Sequence, residues 1–219
     1  MINYINESFE AYHGRTEFMS SHRLSKFLWC PEAFNRTRHE KQPPKWQFEL
    51  GSQFHCLALE GLEVFLSTYV KGDPPVNPKT GNPYGTTTKR HDEWRSKQPS
   101  SVVTPDEWDT LLSIYGGLID NPEASEILRD GAPEAVVRLT IEDVACQVRY
   151  DWLKDGFFAD LKTTRSLDGF RRDALNYGYL DQLALYHMAA EGEFSRPPVF
   201  IACETQFPFR CKVYAVPPA

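Results

Sequence analysis

The chain has 219 residues, 41% hydrophobic and 25% charged, with a formal net charge of −6 at pH 7. These values suit an ordinary globular chain long enough for one large domain, or one domain with a helical extension, and the sequence holds no low-complexity tract. The acidic balance disfavours a surface coated in positive charge but leaves room for a local basic channel.

Residues 1–18 read as a loosely ordered lead-in. Ser20 or Ser21 can cap a helix carrying Leu24, Phe27 and Leu28. Cys30-Pro31 breaks it, and Pro31 can open a short second helix through Phe34. Residues 35–45 form a basic connector with Arg36, Arg38, His39, Lys41 and Lys45. A helix follows over about 47–60, because Phe48, Leu50, Phe54 and Leu57 recur at helical spacing. It carries His55.

Residues 72–87 are rich in Pro, Gly, Asn and Thr and read as a long loop. Thr104 and Pro105 open a helix over 104–119, and Asn121-Pro122 opens another. The period then changes. Val137, Leu139 and Ile141 alternate, as do Val144, Cys146, Val148 and Tyr150, with a Glu142-Asp143 turn between them. A third strand covers 157–162, helix returns over 168–191, and two strands run from Val199 to Cys203 and from Phe209 to Val216. The expected architecture is α+β of an α/β type: a central mixed sheet flanked by helices. We expect one domain over 1–219, with a lead-in at 1–18, a mostly helical portion at 19–130 and a sheet core at 131–219.

No apolar run reaches the ~18 residues of a membrane span, and the N-terminus lacks the pattern of a secretory signal. The five cysteines are odd in number, widely spaced and without a C-x-x-C pair. That points to a reducing, cytoplasmic setting with structural thiols.

The chemistry concentrates in residues 148–162. Asp151 ends one apolar run, and Asp160 and Lys162 sit in the next. Side chains alternate along a strand, so Asp160 and Lys162 share a face while Leu161 points into a core. Such charges are costly to bury unpaired. Two carboxylates can hold a hard divalent cation that also touches a phosphate oxygen and a water. The Lys162 ammonium can offset developing charge. The plainer alternative is a salt-bridge cluster on a hairpin.

Further segments stand around this pattern: Gly51-Ser-Gln-Phe-His55, Asp160-Leu-Lys-Thr-Thr164, and Tyr177-Gly-Tyr-Leu-Asp-Gln182-Leu-Ala-Leu-Tyr186. Together they resemble the PD-(D/E)xK nuclease superfamily across roughly residues 19–216. More narrowly they resemble the exodeoxyribonuclease VIII (RecE-type) branch of phages and prophages, to which the Met19–Phe34 opening is also similar.

The resemblance implies Mg²⁺, replaceable by Mn²⁺, held by Asp151, Asp160, His55 and the backbone carbonyl of Leu161, with Lys162 as the catalytic lysine. Gln182 and Tyr186 match a Gln-x-x-x-Tyr motif and share a helix face, where they would touch DNA or steady the lysine and water. Glu134 is a candidate for an earlier acidic position, with nothing in the sequence to fix it. The family's usual Arg-Pro-Asp is Arg149-Tyr150-Asp151 here.

The implied activity is 5′→3′ exonucleolytic cleavage of double-stranded DNA in recombination, in the cytoplasm of a bacterium or phage-infected host. A homo-oligomeric ring and a single-strand annealing protein are the implied partners. Pro217-Pro218-Ala219 follows a strand where the family usually continues with a helix, which leaves the oligomer contacts open. Arg165, Arg171 and Arg172, close in sequence to Lys162, are expected toward the DNA phosphates. They could equally form a solvated face, as His55, Gln182 and Tyr186 could be ordinary helix residues. A catalytically silent DNA-binding or scaffold protein and an endonuclease remain as alternatives.

Overall fold

The computed structural model describes residues 2–39, 46–190 and 192–216; Lys41 and Lys45 lie outside them. Ten α-helices, one π-helical stretch (Cys56–Glu60) and seven strands are present among these residues. The helices before the main sheet are α1 (Phe9–Gly14), α2 (Ser21–Trp29), α3 (Pro31–Thr37), α4 (Trp46–His55), α5 (Leu62–Thr68), α6 (Lys89–Arg95), α7 (Pro105–Ile119) and α8 (Pro122–Ile127). A two-residue parallel pair, β1 (Val70–Lys71) with β2 (Val102–Val103), brackets the long loop.

The main sheet is mixed, with five strands in sequence order: β3 (Ala132–Ile141), β4 (Val144–Lys154), β5 (Phe157–Thr164), β6 (Val199–Glu204) and β7 (Cys211–Ala215). Only β5 and β6 pair in parallel. Helices α9 (Phe170–Asn176) and α10 (Tyr179–Met188) form their crossover, as a parallel connection requires.

Helices cover both sheet faces. One layer packs Phe54, Leu57, Phe65, Leu111, Ile114 and Leu118 against Leu161 and Ile201. The other packs Phe170, Leu183 and Tyr186 against Tyr150, Phe158 and Phe200. Leu161 therefore faces one core while Phe158 faces the other, as alternation along β5 demands.

Local signals explain most boundaries. Thr104 accepts from the Glu107 amide and Glu107 returns a bond to the Thr104 amide, a reciprocal cap for α7. Glu142 and Asp143 both have positive φ, 45° and 66°, the left-handed pair that joins tightly twisted hairpin strands.

Several expectations need correction. The lead-in 1–18 is not loose throughout: Ser8 caps α1, and Ile5 pairs with Val136. Helices α5 and α6 add to the expected elements. Within the described part of the expected helical segment 168–191 there are two helices, α9 and α10, rather than one. Gly178 adopts φ 68° between them, a left-handed corner that suits glycine. All five cysteines are free thiols, with Cys203 and Cys211 opposite each other in the β6–β7 register. Among the described residues no helix is long and apolar enough to cross a membrane.

Candidate active site

The site lies where the sheet loses its regular pleat. Ala135 pairs with Tyr150 and Ala132 with Leu153, and all four pack on the same core layer. Strict alternation would put residues three apart on opposite faces. The break falls at Glu134 and Asp151, which stand across from each other in the register. Glu134 has φ 53°, a conformation a non-glycine residue holds only where its surroundings compel it.

Strands β4 and β5 separate at the same level. Their last pair is Trp152 with Ala159. Beyond it, Asp151 Oδ2 accepts the Leu161 amide proton at 2.8 Å. The side chain thus satisfies a buried backbone donor that the ladder no longer reaches.

Asp160 is fully buried. The Gln182 amide donates to its Oδ1 at 2.8 Å, and Lys162 Nζ stands 2.5 Å from its Oδ2. The shared face expected for Asp160 and Lys162 is therefore present. Lys162 Nζ also lies 5.0 Å above the Tyr179 ring, within range of a cation–π contact.

His55 closes the opposite side. It ends α4, where the helix widens into a π-type stretch, Cys56–Glu60, with the Gly61 amide bonded to the Cys56 carbonyl. Such widenings recur at functional sites. His55 Nε2 is 2.9 Å from the Leu161 carbonyl oxygen. Its Nδ1 is 3.9 Å from Asp151 Oδ1 and 4.0 Å from Glu134 Oε1. Arg149 holds the other Glu134 oxygen at 2.8 Å.

Charge is poorly compensated here. Burial, then repulsion from Asp151, pushes the Glu134 carboxyl up to about 8 despite Arg149. Burial also pushes Asp160 up to about 7, with Lys162 pulling down and Asp151 pushing up. Burial works against the Lys162 charge, but Asp160 and Asp151 outweigh it and hold the ammonium above its ordinary value. Burial lowers His55, favouring the neutral imidazole that can act as a ligand.

Three carboxylates thus face two cations, Lys162 and Arg149. Among the described residues no three His, Cys, Asp or Glu side chains stand as a ready-made ligand group. In kind and in charge the donors nonetheless suit a hard divalent cation: carboxylate oxygens, a carbonyl and one neutral imidazole around a deficit of positive charge. His55 Nε2 and the Leu161 carbonyl, both suited as ligands, bond each other instead.

The structure gathers His55, Asp151, Asp160, Leu161, Lys162 and Gln182, as the sequence suggests. Tyr186 stands behind them: it is 4% exposed, its carbonyl accepts the Tyr150 hydroxyl at 2.7 Å, and burial holds its own hydroxyl well above the ordinary value. It supports the site from within and does not face solvent. The three arginines diverge. Arg165 is exposed, Arg172 is exposed with only a 3.9 Å contact to Asp173, and Arg171 lines a cavity beside β7. Sequence reasoning gives no role to Arg149 or Tyr179. Tyr179 is within reach of it, since it precedes Gln182 by three residues on one helix and so shares its face.

Residues 20–219 match the family described as a PDDEXK-like domain of unknown function, DUF3799. Among solved structures the chain is similar to a candidate exonuclease from Eubacterium rectale. That likeness has a TM-score of 0.60 and 12% identity, and covers 97% of this chain and 79% of the other. At that identity it speaks for the fold, a restriction-endonuclease-like sheet between helices. No curated protein matches.

Proposed function

Because the chain belongs to the PDDEXK-like DUF3799 family, we propose that it is a metal-dependent DNA nuclease. The observation that carries this is the Asp160–Lys162 pair, 2.5 Å apart, with Asp160 fully buried near Asp151 and Lys162 half-buried at its mouth. A purely structural ion pair has no use for two further acids, Asp151 and Glu134, held with it in a desolvated place.

Asp151, Asp160, His55 and the Leu161 carbonyl are the groups that would hold Mg²⁺ or Mn²⁺. A bound divalent cation would polarise the scissile phosphate and acidify a water at neutral pH. The chain's own residues do the rest. Gln182 fixes the rotamer of Asp160 from one side. Lys162 brings a positive charge to where the phosphorane charge develops. Tyr179 lies under the ammonium and limits where it can swing.

The finer reading is a 5′→3′ exonuclease on duplex ends, of the exodeoxyribonuclease VIII type. It rests on the sequence likeness of the Gly51–His55, Asp160–Thr164 and Gln182–Tyr186 segments. The test incubates the protein with linear and closed-circular duplex in Mg²⁺, in Mn²⁺ and in EDTA. Metal-dependent loss of the linear form alone supports an exonuclease, and 5′- against 3′-labelled ends give the polarity. Cutting of the closed circle would make it an endonuclease. No cutting of either form, with DNA still bound, would make it a silent binding protein.

A further inference from the structure

We infer that the cavity beside β7 binds an internal phosphodiester of the same DNA strand that passes Lys162. The inference rests on the nuclease reading and adds a subsite to it.

The sheet register supplies the geometry. Lys162 pairs with Ala202, and Ala202 pairs with Lys212. The three residues form one rung across β5, β6 and β7. Partners on a rung point to the same face, and two strand spacings amount to ~10 Å. Ala202 contributes only a buried methyl between the two lysines. Phe200 and Tyr214, the next rung on that face, pack in the layer of α9 and α10. Lys162 and Lys212 therefore rise from the same side of the sheet as the candidate active site.

Lys212 opens into a cavity of about 250 Å³, lined by Leu167, Asp168, Arg171, Arg210, Lys212 and Tyr214. Arg210 is committed to Glu204, with Nε at 2.9 Å and Nη2 at 2.7 Å from its two carboxylate oxygens. Arg171 and Lys212 form no ion pair among the described residues. With Asp168 and Glu204 set against the three cations, one positive charge is left over, which matches the single charge of a phosphodiester. The floor is fixed: the Tyr214 hydroxyl donates to the Leu167 carbonyl at 3.1 Å, and its ring stands 5.0 Å from that of Phe170. Cations on a fixed frame lose less freedom on gripping an anion than cations on a loop.

The experiment measures binding of the full chain to duplex DNA by fluorescence anisotropy in EDTA, so that nothing is cut. Single neutral methylphosphonate linkages are walked inward from the end. We expect wild type to lose roughly tenfold in affinity at one internal linkage, and the Arg171→Gln, Lys212→Gln double variant to be weaker but indifferent to that linkage. Its log–log salt slope should fall by about one for each phosphate that the variant no longer neutralises. Melting curves of both proteins check that the variant is folded. A folded variant as sensitive to that linkage as wild type would overturn the subsite. So would a loss that tracks removal of the 5′-terminal phosphate instead of an internal linkage. Cleavage of linear duplex by wild type, assayed from the same preparation, separates the two ideas: cleavage without linkage-specific binding sinks only the subsite, whereas neither binding nor cleavage sinks both.

Discussion

The Asp151 carboxylate accepts the Leu161 amide at 2.8 Å just beyond the last β4–β5 pair. One side chain thereby does two jobs. It replaces a missing ladder bond where the strands part, and it turns its second oxygen toward His55 at 3.9 Å. Strand separation and site geometry share this one residue, so its substitutions should separate structural from chemical loss.

Asp151→Asn keeps an oxygen for the Leu161 amide but removes the charge. It should melt within a few degrees of wild type while cleavage falls by on the order of 100-fold or more. Asp151→Ala should lose both. An unsatisfied buried amide costs about 1–3 kcal/mol, or roughly 2–12 °C in a chain of this size. Equal melting of the two variants would show that the Asp151–Leu161 bond does not hold the fork together.

Asp160→Asn should abolish cleavage and weaken metal binding measured by calorimetry, because it removes a charged oxygen from a hard cation. Lys162→Ala should abolish cleavage yet leave metal bound. Near wild-type nuclease activity in Asp160→Asn would mean that the site has been placed wrongly.

Gln182→Ala leaves Asp160 Oδ1 without its 2.8 Å donor. Cleavage should drop about 10–100-fold, the usual scale for a residue that orients a ligand, with a melting loss of a few degrees. Tyr186→Phe should have the smaller effect on cleavage, since Tyr186 is buried behind the site. A large stability loss in Gln182→Ala with normal specific activity would make Gln182 a packing residue only.

The raised carboxyls give a pH dependence with a definite sign. Glu134 and Asp160 titrate near 8 and 7 in the fold, against about 4 in an unfolded chain. Both are most readily buried when protonated. Without metal their contribution to stability is fullest below pH ~4 and declines as pH rises toward 7–8. A divalent cation should reverse that decline. At a concentration ~100 times its Kd, Mg²⁺ or Mn²⁺ should raise the melting temperature by roughly 5–10 °C at pH 8, and by much less at pH 5. A metal-induced shift of the same size at both pH values would contradict this.

The sequence by itself determined the elements whose signals are local. Thr104-Pro105 and Asn121-Pro122 start α7 and α8 because caps act within one turn. The alternation through Val148 and Leu161 foretells strands, although helices bury both faces of them. It also puts Asp160 and Lys162 on one face, because a two-residue spacing along a strand leaves no other choice. Gln182 and Tyr186 share a helix face for the corresponding reason.

Tertiary structure alone decided what depends on distant segments meeting. Glu134 has nothing beside it in the sequence to mark it. It joins the site because β3 pairs with β4 and its left-handed φ breaks the alternation opposite Asp151. Arg171 parts from Arg165 and Arg172 because Arg210, just before β7, and Lys212, within it, come alongside it. The Lys162–Ala202–Lys212 rung requires a parallel and an antiparallel pairing whose registers no local pattern encodes. The legible signals act over one turn or one pleat. The others depend on register, which is fixed only when both faces of the sheet are buried against their helices.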